Sequence, residues 1–224
     1  IADIAQREQL WLHVDGAYGG VAGAVPELRH LLAGVDRADS FVVNPHKWLF
    51  TPMDCSVMYT KHPEALKRAF ALLPEYLTTS APSETVNLMD YGIQLGRRFR
   101  SLKLWMVMRA YGAEGIAERI RFHCELARDF AGMVHFEGGG WELTAPVTMS
   151  LVCFRYAPAG MSEADIARVN AAIMEQVNAA GVAYLSHTKL NGRYTLRLAI
   201  GNIRTDRSHV EAAWAALRSA AAVI

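Results

Sequence analysis

Cysteine is scarce: Cys55, Cys124 and Cys153 are the only three in 224 residues. They are too few and too widely spaced for a disulfide framework, and no C-x-x-C pair offers a zinc or redox site. They read as buried thiols in a reducing compartment. An excess of either charge is also missing, since 23 Lys and Arg against 22 Asp and Glu leave a net charge of +1. That balance argues against a basic face for nucleic acid and an acidic tail for a basic partner. No apolar run approaches the roughly 20 residues a membrane-spanning helix needs, and no charged segment followed by an apolar one opens the chain. The expectation is a cytoplasmic protein with no nucleic-acid or membrane partner. Internal repeats and low-complexity tracts are absent too.

What remains is a globular composition, 52% hydrophobic, sufficient for one or two cores and one or two domains. Within it, residues 40–52 (SFVVNPHKWLFTP) set a lysine among apolar residues. Phe41, Val42 and Val43 precede Lys47, and Trp48, Leu49 and Phe50 follow it. Lysine is rarely buried without a partner. Desolvation of an ammonium group favours its neutral, nucleophilic form, so Lys47 is a candidate Schiff-base lysine. Taken alone, the stretch leaves open a surface lysine in a loop closed by Pro45 and Pro52.

Thirty-two residues upstream of Lys47, residues 11–15 (WLHVD) read as a short buried strand ending in a carboxylate, followed by the turn Gly16, Ala17, Tyr18, Gly19, Gly20. If this strand and the one at residues 41–43 are parallel neighbours, Asp15 and Lys47 emerge together at the carboxyl ends of their strands, where open α/β sheets bind ligands. A lysine amine and a carboxylate are the pair a pyridoxal phosphate site needs, the acid standing against the pyridine nitrogen. Asp15 read alone is an ordinary Asp-Gly turn residue. His13, Asp15 and His46 also make a 2-His-1-carboxylate set, but such sites suit β-barrels, and the segment between these residues looks helical.

HVDGAYGG, DSFVVNPHKWLF and LGRRFRSLKLW, in this order and over nearly the whole chain, resemble the group II pyridoxal phosphate (PLP)-dependent amino-acid decarboxylases, most closely the aromatic-L-amino-acid decarboxylases. Gly16 and Gly19 depart from the pattern, where many relatives carry alanine. The resemblance implies an α/β fold, PLP fold type I (aspartate-aminotransferase-like). Residues 1–96 would be the C-terminal part of the large, mostly parallel-sheet domain, with a mobile loop near 74–90, and residues 97–224 a small α+β domain. The family carries a long segment before the HVD motif, so the chain is expected to be the C-terminal portion of a longer enzyme.

The resemblance also implies site residues. Lys47 would hold the cofactor, Asp15 would face its ring nitrogen, and Ala17 would pack against the ring. Asn44 would contact the phosphate, with Ser40 as a weaker candidate, and His46 would lie beside the cofactor and Lys47. Tyr76, on the family's mobile loop, would be a catalytic proton donor; aldehyde-forming relatives carry phenylalanine there, so a tyrosine implies amine formation. Leu95 and Gly96 match a segment reaching the substrate pocket of the other subunit of a homodimer. Arg97, Arg98 and Arg100 are read as structural partners of surface carboxylates. Arg197 is similar to the carboxylate-binding arginine of PLP aminotransferases and is read as structural here. The implied function is decarboxylation of an aromatic L-amino acid to its amine. A non-catalytic C-terminal fragment, an aldehyde synthase and an aminotransferase stand as alternatives.

Along the chain, patterning predicts a helix ending near residue 9, a short helix over Pro26–Leu32, strands at 38–43 and 55–60, and a helix from Pro63 to about Leu73. Residues 74–89 carry no clear period. Helices follow from about Leu95 to Gly112 and from Ala113 to about Val134. Next come strands at 141–144 and 148–156, and a helix capped by Ser162 that ends at Gly181. Strands at 183–186 and 194–200 are expected around an Asn191-Gly192 turn, before a last helix near Asp206.

Overall fold

The computed structural model describes residues 1–71 and 86–223. Most of the segment expected to be a mobile loop, Tyr76 included, lies outside the described residues. The chain divides into two compact units, Ile1–Gly112 and Ala113–Ile224.

In the first unit, helix α1 (Ala2–Arg7) leads to a three-stranded sheet ordered β1 (His13–Asp15), β2 (Ser40–Val43), β3 (Val57–Thr60). β1 and β2 run parallel, with Asp15 opposite Val42, and β3 returns antiparallel. The crossover from β1 to β2 is made of 3-10 turns at Gly19–Ala24, Pro26–Leu32 and Val35–Arg37 rather than an α-helix. Glycine lets this crossover lie on β2. A Cβ at Gly16 would stand 2.4 Å from Phe41 Cε2 and 3.0 Å from the Val42 carbonyl oxygen. One at Gly20 would stand 2.7 Å from Val43 Cγ2. Gly16→Ala is therefore expected to push Phe41 aside and destabilise the unit by about 1–3 kcal/mol. Adding Phe41→Leu should return most of that loss in a denaturant titration, because the space the methyl group needs is the space the ring vacates.

The turn α2 (Pro45–Trp48) and helix α3 (Pro63–Phe70) flank β3, and helix α4 (Arg100–Glu137) is interrupted at Gly112, where φ is 63° and ψ 177°. Periodicity suggested a helix from Leu95; it starts five residues later. Leu95 and Phe99 are exposed, so no core draws the 95–99 segment into a helix.

In the second unit, four antiparallel strands are ordered β4 (Trp141–Leu143), β5 (Leu151–Tyr156), β7 (Arg193–Ala199), β6 (Ser186–Leu190). They share a core with the C-terminal part of α4, α5 (Glu163–Ala179) and α6 (Arg207–Ala222), centred on Phe130, Phe154, Trp141 and Trp214. Phe130 meets Phe154 edge to face at 5.0 Å, and Trp141 meets Trp214 at 5.1 Å. The buried Asn170 side chain is satisfied by both backbone groups of Tyr156 and the carbonyl of Ile166. Ser162 caps α5, accepting from the Asp165 N–H.

Asn191 and Gly192 both take positive φ, as a two-residue hairpin requires, and that turn pairs Leu190 with Arg193. β6 therefore occupies 186–190, later than the apolar stretch at 183–186 had suggested. Arg197 Nη1 donates to Ser186 Oγ at 3.0 Å across this pair of strands, in keeping with a structural role.

Candidate active site

The parallel pairing of β1 and β2 ends both strands at one edge. Past that edge the two turns are tied together, since the Asn44 N–H donates to the Ala17 carbonyl at 3.0 Å. Asp15 closes β1 and Lys47 lies in the single helical turn that follows β2. The carboxyl edge of a parallel pair is where α/β sheets place ligands.

Asp15 is exposed. Its Oδ1 accepts from the Ala17 N–H at 2.9 Å, an Asx turn that fixes the carboxylate against the backbone. Among the described residues Oδ2 takes no hydrogen bond. Lys47 is exposed as well, and its Nζ has no hydrogen-bond or ion-pair partner among the described residues. The apolar flanks do not bury the lysine, contrary to the expectation from its neighbours. In a helical turn consecutive side chains diverge by about 100°. Trp48 therefore turns inward, fully buried and stacked on Tyr18 with ring centroids 4.8 Å apart, while Lys47 turns outward.

His46 Nδ1 lies 2.6 Å from the Cys55 carbonyl oxygen and 3.0 Å from the Cys55 backbone nitrogen. One ring nitrogen cannot donate to the first and accept from the second at once. The shorter contact selects the Nδ1–H tautomer and leaves Nε2 with the lone pair. Asn44 Oδ1 accepts from the Ser56 hydroxyl at 2.7 Å, while its side-chain nitrogen has no partner among the described residues.

Asp15, Ala17, Asn44, His46 and Lys47 are thus gathered at one edge. Ser40 is not with them. It opens β2 opposite His13, three residues or about 10 Å before the carboxyl edge. Its buried hydroxyl accepts from Trp11 Nε1 at 2.9 Å and meets His13 Nδ1 at 2.7 Å. That hydroxyl is engaged in joining the starts of two strands, away from the edge that gathers the other candidates. His13 belongs to the same end, and among the described residues no three His, Cys, Asp or Glu side chains are grouped to hold a metal ion. Leu95 and Gly96 are exposed, and no hydrogen bond, ion pair or ring contact among the described residues joins them to Asp15, His46 or Lys47. Arg98 and Arg100 both bond the carboxylate of Asp54, the latter at 3.0 Å, as expected of structural arginines. Asp54 itself escaped the sequence reading, because its partners lie more than 40 residues away.

The donor set fits pyridoxal phosphate: an amine without a partner among the described residues for its aldehyde, a carboxylate with one free oxygen for its ring nitrogen, and an imidazole in the same turn as the lysine. The family model for the pyridoxal-dependent decarboxylase conserved domain matches residues 1–157. Tyrosine decarboxylase 4 of Petroselinum crispum is 43% identical over 97% of this chain and 44% of its own length. Oryza sativa TDC, solved with PLP and tryptamine, superposes with a TM-score of 0.90 at 40% identity, over 99% of this chain and 46% of that one. Rhodiola rosea 4-hydroxyphenylacetaldehyde synthase superposes with a TM-score of 0.86 at 36% identity, over 100% and 45%. The chain thus spans a little under half the length of these relatives, with the α/β architecture of part of a fold type I enzyme. A strand edge carrying Asp15 and Lys47, inside a domain match covering more than half the sequence, places this chain in the pyridoxal-dependent decarboxylase family, whose cofactor is pyridoxal phosphate.

Proposed function

We propose that this chain is the lysine-bearing part of an enzyme that decarboxylates an aromatic L-amino acid to its amine and carbon dioxide. The observation that carries the reading is the juxtaposition of Asp15 and Lys47, at the ends of adjacent parallel strands, each offering an unpartnered charged atom. The likeness to tyrosine and tryptophan decarboxylases supports the substrate class.

Pyridoxal phosphate, when bound, supplies an electron sink for the pair left at Cα as carbon dioxide departs. Lys47 Nζ is the amine for covalent attachment and for exchange with the substrate amine. Asp15, anchored by its Asx turn, would present Oδ2 to the ring nitrogen and hold a proton there. Asn44 would offer its amide nitrogen to the phosphate, and Ala17 would leave room beside the ring. His46, with its Nδ1–H engaged by Cys55, presents Nε2 to a proton in transit. Tyr76 delivers the proton to Cα, directly or through His46. Leu95 and Gly96 border the substrate's ring, contributed across a homodimer whose contact includes exposed apolar residues such as Ile93, Phe99 and Trp105. The three free cysteines suit a cytoplasmic setting.

The aldehyde synthase among the relatives motivates a second reading in which the product is an aldehyde. Tyr76 separates the two. In the complete enzyme, Tyr76→Phe is expected to lower amine output by about 10²-fold or more, with aldehyde appearing in its place where dioxygen is present to take up the two electrons. Chromatography of the products checks this, and unchanged amine output would remove the proton-donor role. The share of relatives covered motivates a third reading, a folded segment that binds no cofactor. Keto-acid products would indicate an aminotransferase.

A further inference from the structure

We propose that Asp54 is a positioning residue that holds the His46 imidazole and the approach to Leu95 and Gly96 in one arrangement. Both oxygens of its carboxylate are taken by different guanidinium groups. Arg100 Nε donates to Oδ2 at 3.0 Å, and Arg98 Nη2 donates to Oδ1. Two charge-assisted bonds from residues two apart fix the direction of a carboxylate more firmly than a single surface pair does. Arg100 opens α4 and its side chain is 23% exposed, against 42% for Asp54 and 70% for Arg98, so the Arg100 bond is the better sheltered of the two.

On the other side of the Asp54–Cys55 peptide, the Cys55 carbonyl holds His46 twice. It accepts from the ring Nδ1–H at 2.6 Å and from the His46 backbone N–H at 3.3 Å. Cys55 is itself buried. One peptide link thus separates the bonds that orient the imidazole from those that hold residues 98 and 100, and Gly96 is two residues from Arg98. The Asp54 carboxyl stays below the usual carboxylate range, through its own backbone N–H first and the arginines next, so the anchor is ionised at neutral pH.

The proposal rests on the decarboxylase reading in one respect, that His46 handles a proton and Leu95 and Gly96 border the substrate. On that reading, Asp54 couples the proton relay to the part of the pocket the substrate ring touches. Residues that act through such a linkage lose rate by misplacing groups they never touch.

The test is 15N NMR of the His46 imidazole in the full chain, assigned by its loss in His46→Gln. The wild type should give the Nδ1–H tautomer. Asp54→Ala and Arg100→Ala should each give an averaged tautomer, their combination no more than either alone, and Asp54→Glu should restore the wild-type signal. In the complete enzyme, Asp54→Ala should lower kcat/KM on the order of tenfold to 100-fold and shift the pH–rate profile. A wild-type tautomer in both folded alanine variants would overturn the proposal. If Asp54→Ala does not fold, Arg100→Ala and Asp54→Asn put the same question. Reduction with PLP and borohydride, run on the wild type beside this, separates the two claims. Failure to label Lys47 even with the upstream segment of the longer relatives joined to the chain would count against the decarboxylase reading, while the tautomer decides the linkage either way.

Discussion

Replacing Lys47 by alanine is expected to abolish turnover in the complete enzyme, by at least about 10³-fold, while leaving the fold intact. The loss is large because no other group at this strand edge can take the role. Asp15, Asn44 and His46 supply a carboxylate, an amide and an imidazole, none of which links covalently to an aldehyde as an amine does. The fold should survive because Lys47 Nζ is exposed and makes no hydrogen bond or ion pair among the described residues. Such a substitution shifts stability by about 0.5 kcal/mol or less. Product assay and thermal melting, measured together, check both halves. Retained turnover would refute the assignment. Lost turnover together with a lost melting transition would mean that the lysine is structural.

Asp15→Asn should be nearly as damaging to rate and equally mild to stability, and the contrast with Asp15→Ala carries the information. The asparagine carbonyl oxygen can still accept from the Ala17 N–H, so the turn that Asp15 Oδ1 now holds at 2.9 Å is preserved. The negative charge that the proposed function sets against the ring nitrogen is removed. A fixed charge placed where charge develops is worth about 10² to 10³-fold in rate. The amide variant should lose that factor in kcat with little change in melting temperature. The alanine variant should lose the same factor and some stability as well. Equal stability losses in the two variants would mean that Asp15 serves the turn alone.

Both predictions turn on an arrangement that the chain's local patterns largely disclose. The parallel pairing of WLHVD with SFVV follows from two short apolar strands joined by a glycine-rich crossover, and the structure places them in that pairing. The hairpin at Asn191 and Gly192 is legible for a similar reason, since few residue pairs tolerate two positive φ angles in succession. Its first strand is not. β6 is an edge strand reading SHTKL, held by the register of its turn and not by apolar alternation, whereas the apolar residues just before it include the buried Leu185.

Two features of the site escaped for reasons of range and direction. The side-chain directions in the turn Pro45–Trp48 send Trp48 inward and Lys47 outward, which counting apolar neighbours does not reveal. Asp54 gave no local signal because its meaning lies in Arg98 and Arg100, brought to it by the fold. Ser40 differs in the opposite sense: the residue type suited a phosphate contact, while its register opposite His13 sets it at the far end of the strand.

The central claim, that Lys47 is the cofactor's lysine, is met most directly by adding pyridoxal phosphate, reducing with borohydride and locating the pyridoxyl group by peptide mass. A single label on Lys47, absent from Lys47→Ala, is the predicted result. Label spread over many lysines, or none on Lys47 even after the upstream segment of the longer relatives is joined to the chain, would contradict it.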